Sequence, residues 1–369
     1  VNLSKVGRAL LVTASAAALA VTLAGCGSDD NSGSGGFVAG GDADCQGAAG
    51  LTAEGSTAQQ NAIGIFNKVW GQACPGKNLS YNPTGSGAGI TQFVSGNVDF
   101  AGSDSPMDAE QAAGAAKRCD NNPAWHLPLV FGPVALAYQL PGVEQLAVSP
   151  QTLAGIFTGA ITRWNDPALV ALNPDQELPD TPITPVYRSD SSGTTDNFQK
   201  YLAAAAPQDW TKGAGKEFQG GAGEGAQKSA GIVQAVQVTP GAIGYVEKGF
   251  ADQAGLSVAA IDSGGGPVAL TGESAKTAIA GATFVGAGND LVLDLDALYA
   301  GTAPGAYPLM LVTYNIVCSR GYSPELAAAV RSFLTVAADH GQAGLDTIGY
   351  VALPESIKTR LVAAARAIQ

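Results

Sequence analysis

From residue 50 onward, short apolar runs alternate with stretches that carry apolar residues at helical spacing. Leu51-Thr52-Ala53-Glu54-Gly55-Ser56-Thr57 predicts a short strand entering a glycine turn, and Ala58 to Val69, rich in alanine and aromatic residues, predicts a helix. Leu79-Ser80-Tyr81-Asn82 predicts a second strand, closed by Pro83-Thr84-Gly85-Ser86-Gly87-Ala88-Gly89, after which Ile90 to Ser95 begins another helix. A third strand, Val98-Asp99-Phe100-Ala101-Gly102-Ser103-Asp104, ends on a carboxylate. The same unit returns at Ile183 to Tyr187, which runs into Arg188-Ser189-Asp190-Ser191-Ser192-Gly193-Thr194-Thr195 ahead of a helical stretch from Asp196 to Ala206. Strands that alternate with helices in this way predict an α/β fold with a mainly parallel sheet.

Two longer apolar stretches break the rhythm. Leu127 to Tyr138, interrupted by Pro128, Gly132 and Pro133, suits a strand that crosses between lobes, and Leu309 to Cys318 suits a second crossing. Between them, residues 211 to 231 are glycine-rich, and Gly241-Ala242-Ile243-Gly244-Tyr245-Val246 predicts a buried strand after Pro240. Pro324 to Ala338 and Glu355 to Ile368 predict closing helices. A chain of 369 residues exceeds what one hydrophobic core usually serves, so two lobes joined at a hinge are expected. Apolar residues make up 46% of the chain and charged residues 14%, which supplies a well-buried core and excludes a wholly disordered chain. No repeat of solenoid period is present.

The N-terminal region has a different character. Lys5 and Arg8 precede an apolar run from Ala9 to Leu23 that is short for a membrane span and reads as a signal peptide, residues 1–25. The run ends in Leu23-Ala24-Gly25-Cys26, which resembles the lipobox of bacterial lipoproteins and makes Cys26 the expected lipidation site. Residues 26–44 are Ser, Gly, Asp and Asn with little to bury, which suits a flexible leash. These features predict an extracytoplasmic protein held at the cell membrane by its lipid. Without residues 1–25, 17 basic residues stand against 31 acidic ones, a net charge of −14. A field of that sign repels nucleic acid and anionic headgroups, so neither is an expected partner. Any anion must be held by local, oriented donors. Cys45, Cys74, Cys119 and Cys318 are disulfide candidates in an oxidising compartment; of the three possible pairings, Cys74 with Cys119 and Cys45 with Cys318 is the expected one. Their spacing does not fit a metal site, and His126 and His340 are the only histidines.

Three loops share one design, in which a strand delivers a turn rich in Gly, Ser and Thr and a helix starts at once: Gly55-Ser56-Thr57, Gly85-Ser86-Gly87 and Ser192-Gly193-Thr194-Thr195. Unpaired N–H groups at a helix N-terminus favour anions, and glycine lets an oxyanion come close. Taken singly, each loop also reads as an ordinary N-cap. Arg188 adds a fork of donors matched to an oxyanion, with Asp190 placed to orient it. Asp104 adds selectivity. A carboxylate in an anion site repels its ligand unless it accepts a proton that the ligand still carries, which hydrogenphosphate has and sulfate lacks. The structural alternative for Asp104 is a cap on a helix beginning near Asp108.

The segments Thr84 to Gly89, Val98 to Asp104, Arg188 to Thr195 and Pro240-Gly241-Ala242-Ile243-Gly244-Tyr245-Val246-Glu247 resemble, in order, the phosphate-binding lipoproteins of Pst-type ABC importers. Tyr81 to Gly89 is closest in wording to actinobacterial members. The resemblance runs from about residue 50 to the C-terminus and implies a two-lobed type II periplasmic-binding-protein fold with two hinge crossings. Its lobes would be residues 45–137 plus 315–369, and residues 138–314. It also implies a monomer without cofactor that binds inorganic phosphate and meets the permease subunits of an ABC importer. By position, the ligand contacts fall on Thr57, Ala58, Ser86, Asp104, Arg188, Asp190, Ser192, Gly193 and Thr194. Ala58 stands where many members have an aromatic residue, so a backbone contact there would survive but side-chain shielding would not.

Two other readings use the same residues. A phosphoryl-transfer enzyme needs a nucleophile and a base, and neither histidine is placed beside Ser192 or Thr194 by any motif. Gly223-Glu224-Gly225-Ala226-Gln227-Lys228-Ser229 imitates a P-loop but lacks the adjacent Gly-Lys and a preceding apolar strand, so it reads as a flexible or ligand-adjacent glycine loop. A site for sulfate or molybdate would leave Asp104 without a proton to accept.

Overall fold

A computed structural model describes residues 43–300 and 303–369. The expected signal peptide, Cys26 and the leash up to residue 42 lie outside the described residues. In chain order the strands are β1 (Gly50–Gly55), β2 (Asn78–Pro83), β3 (Phe100–Ser103), β4 (Ala124–Gln139), β5 (Ala147–Val148) and β6 (Thr184–Arg188). They continue with β7 (Glu224–Ala226), β8 (Ala242–Glu247), β9 (Ser257–Val258), β10 (Ala260–Asp262), β11 (Pro267–Val268) and β12 (Met310–Cys318). The main sheet has the order β2-β1-β3-β12-β4-β8-β6-β7, with β9 also pairing β4, and β11-β10-β5 form a small separate sheet.

The expectation of a mainly parallel sheet is met at the two ends and fails in the middle. β2, β1 and β3 run parallel, as do β7, β6 and β8. β12 is antiparallel to both β3 and β4, and β4 is antiparallel to β8. The chain leaves the first parallel set along β4 and returns along β12, so these two necessarily run in opposite directions.

β4 has 16 residues, about 50 Å of extended chain at the usual rise. Leu127, Leu129 to Phe131 and Val134 to Tyr138 are all buried, so the strand lacks the polar alternation of a half-exposed one. Ala124–Pro133 pairs with β12, and Val134–Gln139 pairs with β8 on the opposite edge. Pro133, which has no N–H to donate, stands where the partner changes, and Pro128 faces Tyr314 beside an irregularity at Thr313/Tyr314.

Helices begin earlier than their apolar spacing suggests. Ser86–Val94 and Gly193–Ala205 start four and three residues ahead of Ile90 and Asp196, and Lys228–Val238 emerges from the glycine-rich segment. Glycine and hydroxyl residues are poor helix formers that carry no apolar periodicity, so first turns built from them leave no trace in the pattern.

The disulfides are Cys45–Cys74 and Cys119–Cys318, with Cα separations of 5.3 and 5.4 Å, and not the pairing expected from the sequence. Cys74 ends the helix Gln60–Ala73, and Lys77 just beyond it donates to the carbonyls of Gln46, Gly47 and Ala48, which holds Cys45 at that corner. Cys119 ends the helix Ala109–Arg118, whose Arg118 donates to the Val98 carbonyl and to Cys318 Sγ at the end of β12. Each half-cystine is thus committed to its own corner by the helix that carries it.

Cys119–Cys318 spans 199 residues and Cys45–Cys74 only 29. On loop-closure entropy, replacing the first pair by serine is expected to cost roughly 5 kcal/mol of unfolding free energy and the second roughly 3–4 kcal/mol. Urea unfolding of the two double variants measures this, and the reverse order would remove loop length as the source of the stabilisation.

Candidate functional site

The loops that leave the carboxyl ends of β1, β2, β3, β6, β7 and β8 meet in one buried cluster. Three of these strands are followed directly by helices whose first residues enter it: Ser86 after β2, Gly193 and Thr194 after β6, and Ser229 after β7. The carboxyl ends of parallel strands are where an open α/β sheet presents helix N-termini and their free N–H groups. In this cluster Thr57, Ala58, Ser86, Asp104, Arg188, Ser192 and Thr194 are all buried.

Asp104 lies at the end of β3 and is 2% exposed. Its Oδ1 accepts from Ser56 Oγ and Thr313 Oγ1, each at 2.6 Å, and its Oδ2 accepts from Ser86 Oγ at 3.1 Å. Burial raises its carboxyl to about 6; the Ser56 and Thr313 hydrogen bonds oppose the shift and the charge of Glu247 adds to it. Asp104 does not cap the next helix. Asp108 does so itself, in a reciprocal capping box with Gln111.

Gly193 is pressed against Asp104. A Cβ at Gly193 would lie 2.6 Å from both Asp104 Cβ and Ser86 Oγ, so any larger residue would push apart the loops after β2, β3 and β6. Asn197 Nδ2 donates to the carbonyls of Asp104 and Gly193 at 2.7 and 2.8 Å, which fixes that approach. Ser192 has the N-cap role open to it from sequence: its Oγ accepts from the Thr195 N–H at 3.2 Å.

Arg188 and Asp190 form a two-bond fork, Nε to Oδ1 at 2.7 Å and a terminal nitrogen to Oδ2 at 2.5 Å. Burial alone would lower the Arg188 guanidinium, but the hydrogen bond and charge of Asp190, with the charge of Glu247, hold it above its ordinary value. Asp190 is held below the usual carboxylate range because the Arg188 hydrogen bond and charge, helped by the Lys228 N–H, outweigh its partial burial. Lys228 adopts φ 63° to make that contact, a rare conformation for a residue with a side chain.

Four residues of the cluster are absent from the ligand contacts expected from the sequence: Thr313, Ser229, Glu247, and Ser56, although Ser56 stands in the Gly55-Ser56-Thr57 loop singled out there. Thr194 Oγ1 donates to Glu247 Oε1 at 2.5 Å, Ser229 Oγ donates to Oε2 at 2.6 Å, and Thr57 Oγ1 lies 2.7 Å from Ser229 Oγ. Two signals were available. Ser229 closes the P-loop-like segment, and Thr313 is a hydroxyl in the middle of the apolar run Leu309 to Cys318. Ala58 contributes backbone: its N–H donates to Ser56 Oγ at 3.0 Å, and its carbonyl accepts from Tyr350 at 2.6 Å. Among the described residues no group of three or more His, Cys, Asp and Glu side chains is placed to hold a metal ion.

A raised carboxyl links stability to pH. Because Asp104 holds its proton more tightly folded than unfolded, the folded state gains stability as pH falls through about 6 and carries the full penalty of the buried charge above it. The shift from 3.8 to about 6 corresponds to roughly 3 kcal/mol. Between about pH 4 and about pH 7, Asp104→Asn is therefore expected to gain on the wild type by an amount of that order. Urea unfolding across the range tests it, and a constant difference would mean that Asp104 is solvated.

A family model described as a PBP superfamily domain matches residues 30–339. Phosphate-binding protein PstS3 of Mycobacterium bovis (strain BCG / Pasteur 1173P2) is 50% identical over 357 residues, covering 95% of this chain and 96% of that protein. Phosphate-binding protein PstS 3 of Mycobacterium leprae (strain TN) is 46% identical over 351 residues, covering 94% and 95%. A solved periplasmic phosphate-binding protein of high affinity, bound with phosphate, matches 85% of this chain and 93% of its own with a TM-score of 0.70; at 23% identity this is a likeness of fold. The chain belongs to the PBP superfamily and, within it, to the phosphate-binding proteins of the PstS family.

Proposed function

We propose that the chain is an extracytoplasmic substrate-binding lipoprotein that captures inorganic phosphate in the cluster around Asp104 and delivers it to an ABC importer. The observation that carries the reading is Asp104 itself: a buried carboxylate set among helix N-termini. Placed there, it discourages every anion except one that brings a proton to share. Thr57, Ser86, Ser192, Gly193 and Thr194, with the backbone of Ala58, would supply the neutral donors. Arg188 would supply the cation, and Asp190 its orientation. Binding through local dipoles also suits a chain whose net charge of −12 repels free anions.

Residues 45–137 plus 315–369 and residues 138–314 would be the two lobes, with β4 and β12 as the crossings. Contacts in the cluster join residues of both, as in Thr57 with Ser229, Asp104 with Asn197, and the Gly87 N–H with the Ser191 carbonyl. Opening a hinge at the crossings would separate these pairs and admit the ligand. Cys26 would anchor the chain to the membrane, and the two disulfides agree with an oxidising compartment.

Binding is favoured over catalysis by the histidines. His126 Nδ1 is 2.8 Å from Asp290, and its Nε2 accepts from the Met107 N–H at 3.0 Å. His340 ends the helix Pro324–Asp339. Neither is joined to Ser192 or Thr194, so no histidine stands beside these hydroxyls to act as their general base.

Calorimetric titration of the protein from Cys45 onward, stripped of bound ligand, tests the proposal. One-site phosphate binding without sulfate heat is expected, and Asp104→Asn should weaken phosphate by about tenfold to a hundredfold, the cost of one unmatched buried hydrogen bond. Equal binding of the two ions by the wild type would overturn the assignment.

A further inference from the structure

Beside the cluster, a contact through a carboxylate joins the two sets of residues assigned above to the lobes. Ser105 Oγ donates to Asp196 Oδ2 at 2.6 Å, a length typical of a hydroxyl bonded to an ionised carboxylate. Both residues are buried. Ser105 falls within residues 45–137 and Asp196 within residues 138–314, and the phosphate reading gives neither of them a role.

Each end of this bond adjoins a group that would grip the ligand. Ser105 follows Asp104 directly, and Asp196 stands in the first turn of the helix Gly193–Ala205, two residues after Thr194. Both ends are held stiffly. Ser103 Oγ donates to the Ser105 carbonyl at 2.6 Å and accepts from the Ser105 N–H at 3.2 Å. Asn197 Nδ2 ties the Asp104 carbonyl to that of Gly193, and Tyr299 donates to Asn197 Oδ1 at 2.6 Å. A ligand held by Asp104 on one side and by the helix start at Gly193 and Thr194 on the other therefore brings Ser105 and Asp196 into register.

The bond can also be undone without stranding a charge. Lys200 Nζ, one turn along the same helix, lies 2.7 Å from the same Oδ2, so Asp196 keeps a cation when Ser105 leaves. A groove of about 470 Å³ adjoins the pair, lined by Pro106 and Met107 from one side and by Asp196 and Lys200 from the other. Water that enters it can take the place of the Ser105 hydroxyl. A fixed contact in a dry core has no such substitutes, and breaking it leaves an uncompensated charge.

We propose that Ser105 and Asp196 are positioning residues that form a latch, made when the cleft closes on phosphate and broken when it opens, and that this latch sets the lifetime of the complex. The proposal rests on the phosphate reading of the cluster and on its two lobes. Association passes through the open form, in which the two residues are apart, so loss of the latch acts on release and leaves capture as it was.

Release of radiolabelled phosphate into excess unlabelled phosphate, combined with the calorimetric Kd for inorganic phosphate, gives both rate constants. It is measured for the wild type, Ser105→Ala, Asp196→Ala and the double variant. Ser105→Ala, which removes one oxygen atom, should speed release by about tenfold to a hundredfold, the loss of one charge-assisted bond, with association changed by less than about twofold. Asp196→Ala should act in the same direction. The double variant should release no faster than the faster single one, because both substitutions remove a shared bond. Ser105→Ala decides the matter if the Asp196 variants fail to fold. Unchanged release from Ser105→Ala, slower association in place of faster release, or single effects that multiply in the double variant would overturn the proposal while leaving the phosphate reading intact. No phosphate binding by the wild type would overturn both.

Discussion

Three carboxylates, those of Asp104, Asp190 and Glu247, share one buried cluster with the Arg188 guanidinium, and the rest of the cluster is what makes that crowding tolerable. Asp190 is neutralised by the Arg188 fork. Asp104 and Glu247 have no cation of their own and are satisfied by hydroxyls: Ser56, Thr313 and Ser86 on the one, Thr194 and Ser229 on the other. Neutral donors can stabilise a buried carboxylate by hydrogen bonding, but they do not cancel its charge. Burial without a cation of its own, with the charge of Glu247 adding to it, raises the Asp104 carboxyl, whereas the Arg188 hydrogen bond and charge lower that of Asp190, although both sit in one cluster.

The sheet supplies the geometry that such a cluster needs. Apart from Thr313, each contributing residue lies at or just beyond the carboxyl end of a strand, and every one of those strands belongs to a parallel set. Parallel strands bring successive loops and helix starts to the same edge, so hydroxyls from β1, β2, β6 and β7 arrive together without long excursions. β12 adds Thr313 from the middle of a strand, and it can do so because it runs antiparallel alongside β3, with Tyr314 opposite Ser103. The mixed middle of the sheet, which the strand–helix alternation did not foretell, thus places a donor on Asp104.

Much of this was legible in the sequence where a residue type has one strong physical meaning. The loops ending in Ser86 and Thr194, the Arg188–Asp190 fork and the carboxylate at position 104 each follow from a strand running into glycine and hydroxyl residues. Thr313 and Glu247 were opaque for the opposite reason. A threonine inside an apolar strand and a glutamate at the end of one are ordinary until the fold reveals which face they occupy and what lies across from it. The disulfides were unreadable in the same sense, since the choice among three pairings depends on which helix ends share a corner, and spacing along the chain does not encode that.

The division of labour between the carboxylates follows from where their donors come from. Asp104 is bound by Ser56 and Ser86, both within residues 45–137, and by Thr313 of the crossing strand β12, which falls within residues 138–314. Glu247 is bound by Thr194 and Ser229, both within residues 138–314. If the two sets of residues separated, Glu247 would keep both of its hydroxyls and Asp104 would keep Ser56 and Ser86, so neither would be left as a bare buried charge. Away from β12, what separation would break are the links between the sets: the neutral bonds of Thr57 with Ser229, of Asn197 with the carbonyl of Asp104 and of the Gly87 N–H with the Ser191 carbonyl, each worth about 1 kcal/mol net, and the charge-assisted bond from Ser105 Oγ to Asp196 Oδ2 at 2.6 Å. The Ser105–Asp196 bond is therefore the strongest single tie among these that a separation along this line would have to break.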